Sequence, residues 1–552
     1  MTLRQAENDT AEAAVQVDQP VVAEAGAAET GAEAEAAVPP PGRPPPIPLP
    51  VPPSRTEKYR YIERRLWILT LCSVVSFGCL ALSQVRLANA NPLLWVYMPF
   101  LVFTIAYFLI SLWINAFSRD FSLAKHLRLV SEWKPETYPS VDVFLPVCGE
   151  PVEVLENTWR NVAKLIEEYP GPATAYVLDD AAAPGLPGLA GDLGLEYLTR
   201  EERGWFKKAG NLQFGFQNSS GDFILILDAD FAPRADLLGE LLPYFDQDPR
   251  LGIVQSPQHF QVLEEQNWIE RGAGEVQELF YRAVQTSRQQ REGAICVGSC
   301  GVYRRTALEE NGGTTLIEHS EDVHTGFDLR RLGWSLTYVP VALATGLCPD
   351  TLGAFYNQQY RWCMGSMSLL ASEKFRRAKL GLSARLCYIS GFFYYLHTAL
   401  FTFAAPIVPI LVLAVIPGQI KVANLVWVLP SVVYSSVIFP MWHHCPYRLE
   451  AWACRMIYGW AHLFAIWDIL RGKPMGWQAT GSQAAARDRT RRLRWGLYLW
   501  GGGSAAAWVG LAFWRLATMH PANFALLFGS GLFYAAVVAR CLIQPRTTRK
   551  AL

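Results

Sequence analysis

Four clusters of polar residues between Asp179 and Trp362 hold the side-chain types that a group transfer needs: Asp179-Asp180, Asp228-Ala229-Asp230, Ser320-Glu321-Asp322 and Gln358-Gln359-Tyr360-Arg361-Trp362. Asp228 and Asp230 follow the apolar run Phe223-Ile224-Leu225-Ile226-Leu227, which reads as a buried parallel strand and delivers both carboxylates at its C-terminal edge. Ligands of open α/β sheets bind at that edge. The pattern repeats where Ala175-Tyr176-Val177-Leu178 runs into Asp179-Asp180, a second carboxylate pair at a second strand end. Two acid clusters facing one crevice suit a hard divalent cation held through oxygen, and such a cation suits a diphosphate. Alone, Asp179-Asp180 would read as a helix cap and turn. The other strand-ending pair turns the balance towards chemistry.

The elements that must position these groups alternate between two periods. Val141-Asp142-Val143-Phe144-Leu145-Pro146 is a short apolar strand, the stretch 153–168 is helical, and the alternation continues to about residue 379. That is the grammar of an α/β domain with a parallel sheet. Apolar stretches long enough to cross a bilayer flank it, at 66–85 and 93–114 before and at 386–416, 422–441, 495–514 and 524–542 after. About six spans are therefore expected. The stretch 386–416 carries Pro406 and Pro409 and is expected to kink. The stretches 364–380 and 451–470 are expected as helices lying at the membrane surface, the second because Arg455 and Asp468 interrupt it. Lys58, Arg60, Arg64 and Arg65 precede the first span, and Arg119, Lys125 and Arg128 follow the second. This bias predicts that the domain and both termini lie in the cytoplasm.

Composition narrows the class. A chain of 552 residues that is 51% hydrophobic, with 19 Trp, is too apolar for an ordinary soluble multidomain protein. With 49 basic and 49 acidic residues its net charge is zero, so bulk electrostatics point to no nucleic-acid partner. The 11 Cys are scattered; Cys296 and Cys300 bracket a Val-Gly-Ser turn without the further ligands of a zinc site, and read as reduced thiols. The expected organisation is a disordered Ala- and Pro-rich tail over 1–55, two membrane helices over 56–117, a cytosolic domain over 118–380, and a C-terminal membrane region over 381–552. No basic segment followed by an apolar core opens the chain, so no cleaved signal peptide is expected.

Taken in order, the aspartate after one strand, the Asp-x-Asp after another, the Glu-Asp pair and the Gln-x-x-Arg-Trp motif resemble the family 2 glycosyltransferases of the cellulose synthase-like, processive type, over roughly 141–481. The resemblance implies a GT-A-type, Rossmann-like domain set between membrane helices. It implies that Asp228 and Asp230 hold Mg²⁺ or Mn²⁺ on the diphosphate, that Asp179 contacts the uridine nucleotide, and that Lys208 and Asn211 line the donor pocket. Asp322 matches the base that deprotonates the acceptor hydroxyl, with Glu321 orienting it. Arg361 offers a planar fork to phosphate oxygens, Gln358 an uncharged hydrogen-bonding group, and Trp362 an acceptor platform for which a membrane-interface anchor is the competing reading. Trp477 and Thr480, in Gly476-Trp477-Gln478-Ala479-Thr480-Gly481, keep part of the family's gating loop, placed at 473–483. Two departures stand out. The gating loop lacks the fuller Phe-x-Val-Thr-x-Lys pattern, and Val147-Cys148-Gly149-Glu150-Pro151 replaces a Thr-Tyr-Asn-Glu-Pro strand end, so stacking of the base on a tyrosine is lost.

The implied function is polymerisation of a UDP-sugar, UDP-glucose being expected, into a β-linked glucan that passes through the chain's own helices in an inner membrane. The implied partners are the donor, the growing polysaccharide, membrane lipid and subunits on the extracytoplasmic side. A non-processive transferase acting on a lipid is the alternative, and a transporter with an inactive domain is disfavoured by the intact acids. No cyclic-dinucleotide-binding domain is expected after Gly481. His324 and His397 read as packed residues rather than ligands.

Overall fold

A computed structural model describes residues 49–116, 118–472 and 486–545. The expected loop 473–483, with Trp477 and Thr480, lies outside the described residues, as do residues 1–48 of the expected tail.

The domain is built on a seven-stranded sheet in the order β3-β2-β1-β4-β8-β6-β9. The strands are β1 (Val141–Val147), β2 (Ala173–Asp179), β3 (Glu196–Leu198), β4 (Phe223–Ile226), β6 (Leu251–Gln255), β8 (Gly301–Arg304) and β9 (Ser335–Tyr338). Only β8 runs against its neighbours, pairing antiparallel with both β4 and β6. The sheet is covered on both faces, which is why its strands read as unbroken apolar runs. Along β1 the side chains alternate: Val143, Leu145 and Val147 enter one core with Leu155, Trp159, Val162 and Leu165 of the Val152–Glu168 helix. Phe144 enters the opposite core with Leu178, Leu212, Ile224 and Ile226. A second, three-stranded sheet, β5-β10-β7, joins Ala232–Pro233, Ala344–Gly346 and His259–Phe260 beside the exit of β4.

Among the described residues, four helical segments are long and apolar enough to cross a membrane: Leu66–Ala90, Pro92–Ala116, Leu382–Val415 and Pro521–Leu542. The chain in Leu382–Val415 is helical to Ala404 and resumes at Ile407, with Pro406 at the break. The other two expected spans take different forms. The stretch 422–441 is divided into short helices, of which Leu429–Trp442 is the longest apolar piece. Pro430 and Pro440 each interrupt the backbone ladder there. The stretch 495–514 lies within one continuous helical run, from Ala486 through a wide turn at Leu497–Gly502 to Thr518.

Two further expectations are corrected. Met364 does not open a surface helix; it sits inside the Leu352–Ala371 helix, buried in a core shared with Trp460 and Ile457, and only the short Glu373–Arg377 helix follows. Burial of the face carrying Phe355, Tyr356, Tyr360 and Cys363 holds this helix in the protein rather than on lipid. The expected disordered tail is also shorter than 1–55, because residues 49–55 are packed on the domain: Asn157 donates to the Pro50 carbonyl at 2.9 Å and Arg234 to that of Pro53 at 2.5 Å. Ser54 caps the Arg55–Lys58 helix, with Glu57 completing the capping box. Lys58 and Arg64, read above as membrane-flanking charges, are buried: Lys58 Nζ lies 2.8 Å from Asp236 and 2.5 Å from Glu240, and Arg64 Nε lies 3.1 Å from Asp120.

Removing one partner of a buried pair leaves an uncompensated charge, at a cost of about 3–5 kcal/mol. Lys58→Met is therefore expected to lower the thermal midpoint of the protein in detergent markedly. Breaking the exposed Glu373–Arg377 pair with Arg377→Ala is expected to change stability by less than about 0.5 kcal/mol, and equal shifts for the two variants would refute the assignment.

Candidate active site

The ends of β4 and β1, the loop before β8 and the starts of two helices meet at one cavity of about 1730 Å³, lined by Asp228, Asp230, Lys208, Asn211, Glu321 and Asp322. Gln358, Arg361 and Trp362 line the same cavity. Spacings of three and four residues place these three side chains on one face of the Leu352–Ala371 helix. Of the intervening residues, Tyr360 points into the core, while Gln359, though buried, also lines the cavity. Tyr360 donates its hydroxyl to Asp468 at 3.1 Å, and Arg492 holds the same carboxylate at 2.9 Å, so this helix is tied to the Leu449–Leu470 helix behind it.

Lys208 organises the acids. Its ammonium lies 2.5 Å from Asp228 Oδ1, 2.9 Å from the Gly298 carbonyl and 3.7 Å from Glu321 Oε1. Burial acts to lower the pKa of Lys208, but Asp228 and Glu321 outweigh it and hold the amine charged. Glu321 and Asp322 occupy the first turn of the Glu321–Arg331 helix, where the macrodipole favours negative charge. They enter it from Ser320, whose backbone is left-handed at φ 54° and makes no side-chain cap. Asp322 is pushed up to about 7, first by burial and then by the neighbouring Glu321, against the opposing pull of Lys208. That places a carboxylate able to accept a proton near neutral pH beside the residue that fixes Asp228.

Three positions that sequence reasoning passed over complete the arrangement. Gly298 has φ 75°, and a Cβ there would lie 2.8 Å from Asp322 Oδ2. Ser299 Oγ accepts the Asp228 amide at 3.0 Å. The turn between Cys296 and Cys300 is thus the floor on which both acids rest; small residues between two buried thiols were its only trace in the sequence. Glu150, in the segment that departs from the family pattern, lines the cavity and accepts the Cys148 amide at 2.7 Å. Burial raises its pKa, and the nearby Asp228 adds to the rise.

Two sequence assignments are placed differently. Asp179 is fully buried, and its carboxylate accepts the amides of Ala181, Ala182 and Ala183 at 2.8–3.0 Å and the Tyr197 hydroxyl at 2.8 Å. It shapes its own turn rather than facing the cavity, so the expected nucleotide contact is not made by its free oxygens. Asp180 does line the cavity, but Arg200 takes both of its oxygens, at 2.7 and 2.9 Å. The crevice therefore presents one strand-ending acid pair to a ligand, Asp228 with Asp230. Asn211 is 2% exposed and donates to the Leu178 carbonyl at 2.6 Å, while its buried Oδ1 has no partner. His324 is a packed residue: burial lowers its pKa, and Nε2 lies 3.0 Å from Ser368 Oγ.

Residues 223–444 match the family described as Glycosyl transferase family group 2. A cellulose synthase catalytic subunit [UDP-forming] of Xanthomonas axonopodis pv. citri is 33% identical over 264 residues, 47% of this chain and 36% of that protein. The Pseudomonas fluorescens protein of the same description is 30% identical over 321 residues, 56% of this chain and 43% of that one. The chain thus spans less than half the length of these relatives. A mannosyltransferase from Pyrobaculum calidifontis, solved with GDP-Man and Mn²⁺, overlaps 67% of this chain and 98% of its own at TM-score 0.45 and 17% identity. The fold is that of a GT-A-like mixed α/β domain. Over this region the chain is similar to the cellulose synthase-like glycosyltransferases of family 2.

Because a side chain at Gly298 would collide with Asp322, Gly298→Ala is expected to lower glycosyl transfer by about 10²-fold or more while thermal stability changes by under about 3 kcal/mol. Near-normal transfer by the folded variant would show that Asp322 does not depend on this floor.

Proposed function

We propose that this protein is a membrane-embedded, processive, inverting glycosyltransferase that polymerises a UDP-sugar, UDP-glucose being the expected donor, into a β-linked glucan. The product would pass into the membrane region of the same chain. One observation carries this reading: the cavity that begins at Asp228, Asp230 and Asp322 continues past Trp362 to Tyr394, Phe401 and Trp508 among the membrane helices. Trp362, half-buried at the junction, faces that cavity, which favours an acceptor platform over a lipid anchor. The relatives' description as UDP-forming cellulose synthase catalytic subunits supports donor and product class, and the existence of partner subunits.

In this reading Asp322 accepts the proton of the acceptor hydroxyl as that oxygen bonds to the anomeric carbon. The bond from that carbon to the diphosphate breaks in the same displacement, and UDP leaves. Lys208 and Arg361 supply positive charge and donors towards the departing phosphates. Asp228 and Asp230 fit a divalent cation, magnesium or manganese: both are half-exposed oxygen donors on the cavity wall, and Asp228 already bears a cationic partner on Oδ1. Among the described residues no group of three such donors exists, which suits an ion whose other ligands are phosphate and water. When bound, that ion would supply Lewis-acid stabilisation of the leaving diphosphate. An even number of crossings would keep the domain and both chain ends on the cytoplasmic face of an inner membrane, and exposed Arg65 with Arg119 agrees.

Purified protein in lipid, given UDP-sugars and Mg²⁺ or Mn²⁺, is expected to form a polymer sensitive to a linkage-specific glucanase; glycolipid or soluble oligosaccharide alone would favour the lipid-acceptor reading. Asp322→Asn is expected to reduce UDP release by about 10²–10⁴-fold with donor affinity nearly unchanged. Since the base must be deprotonated and its folded pKa lies near 7, kcat/KM is expected to fall about tenfold per pH unit below that value. A flat profile down to pH 5 would remove Asp322 from the role. Trp362→Ala is expected to shorten the polymer or stop elongation, and an unchanged product would return the residue to the membrane interface.

A further inference from the structure

Several buried or half-buried cations in this protein are paired with carboxylates: Arg200 with Asp180, Lys58 with Glu240, Arg282 with Glu278 and Arg305 with Asp142. Arg288, which is buried, and Arg455, which is half-buried, have no carboxylate partner among the described residues. Arg288 is 5% exposed, lines the cavity, has no ion-pair partner among the described residues, and its Nε makes no hydrogen bond. The chain passes it closely at Gly391, where a Cβ would lie 3.1 Å from Nη2. Arg455 lines the same cavity; among the described residues its guanidinium meets the Tyr447 hydroxyl at 3.3 Å and the faces of Trp452 and Phe439 at 5.3 and 5.9 Å from their centroids, with Tyr458 and Tyr394 within electrostatic reach. Tyr107 lies within electrostatic reach of both guanidiniums, and Tyr395 within reach of both Arg288 and Asp322. His397, stacked among Phe100, Tyr107 and Phe401, also turns a buried, unpartnered Nε2 into this region.

The cavity is therefore polarised. Every carboxylate lining it among the described residues, from Glu150 to Asp350, belongs to the nucleotide end, while the section beyond is lined by Arg288 of the Thr286–Gln289 helix, Arg455 of the Leu449–Leu470 helix and membrane-helix residues that include no acid. A guanidinium facing a cavity whose walls are mainly aromatic and aliphatic is left without compensation unless the occupant brings negative charge. The aromatic rings beside it suit the apolar faces of sugar rings. We propose that this section accommodates a glycan carrying anionic groups, such as the carboxylates of uronic acid units, which Arg288 and Arg455 hold in succession beyond Trp362. The inference rests on the reading of the cavity as the acceptor path and refines its substrate class from a neutral glucan to an acidic or acid-substituted one.

The test is equilibrium binding to the full chain in nanodiscs of neutral phosphatidylcholine, using cellopentaose and the same oligosaccharide oxidised to carboxylate at C6. The oxidised probe is expected to bind at least tenfold more tightly, with the advantage shrinking in high salt. Arg288→Gln and Arg455→Gln are each expected to cut that preference several-fold, Arg455→Lys to keep most of it, and exposed Arg377→Ala to leave it unchanged. Equal affinity for the two probes, or a preference that survives both glutamine variants, overturns the proposal. Displacement of the oxidised probe by phosphatidate added to the nanodiscs overturns it in favour of a lipid phosphate. UDP release from UDP-glucose and from UDP-glucuronic acid, measured in parallel, reports separately on the transferase reading: its absence with both donors would sink that reading, and its presence without a charge preference in binding would sink only the inference.

Discussion

One ammonium group holds this site in register. Asp228, Glu321 and Asp322 arrive from separate elements, and three carboxylates in a cleft repel one another unless a cation stands among them. Lys208 does so, with Asp228 and the Gly298 carbonyl within 3 Å and Glu321 at 3.7 Å. Asp228 is matched to a positive charge, whereas Asp322 feels burial and Glu321 more strongly than it feels Lys208 and is raised towards neutrality. Environments that separate the behaviour of neighbouring acids divide labour between them, one to bind cationic charge and one to take a proton. The fold supplies that difference through the glycine floor at 298, which lets Asp322 lie against backbone.

The second constraint is a close approach of helices. Gly365 lies in the Leu352–Ala371 helix where a Cβ would fall 2.1 Å from Ser320 Oγ. Only a residue without a side chain lets the helix bearing Arg361 and Trp362 rest on the turn that launches Glu321 and Asp322. The other side of that helix packs on Leu449–Leu470, itself in contact with membrane helices, through the core that joins Tyr356 and Cys363 to Ile457 and Ala461. Trp362, Asp322 and the membrane region are thereby fixed to one another by packing as well as by the Tyr360–Asp468–Arg492 bonds.

Much of this was legible in the sequence, for identifiable reasons. Strand β4 is an apolar run ending in acids, so Asp228 and Asp230 could be placed at a sheet edge, and spacing alone set Gln358, Arg361 and Trp362 on one helical face. Local pattern could not say where a side chain's hydrogen bonds go. Asp179 and Asp180 share the strand-end signature of Asp228, yet three turn amides and Tyr197 take one and Arg200, twenty residues on, takes the other. Hydropathy likewise registers apolar residues without their surroundings. It read 364–380 as a surface helix although the motif helix runs through Met364 into a protein core, and it read 422–441 as one span although prolines divide it. Lys58 and Arg64 looked like membrane-flanking charges because burial by residues far along the chain leaves no local trace.

The junction between domain and membrane helices explains why these misreadings cluster where they do. Arg64 bridges Asp120 and Ser287; Arg282 bridges Glu278, the Glu63 carbonyl and the Trp442 carbonyl. These ties draw the entry to the first membrane helix, the end of the second, and the break after 441 onto one helical layer of the domain. Polar groups at such a seam are withdrawn from both water and lipid, so each must find a partner inside the protein. The chain meets that demand at the seam for Arg64, Arg282 and Asp468. Against that background Arg288, buried at the same level with its Nε unbonded and its side chain on the cavity wall, is a departure, and an unpaired cation facing a cavity marks where a fold leaves a bond for its ligand to complete.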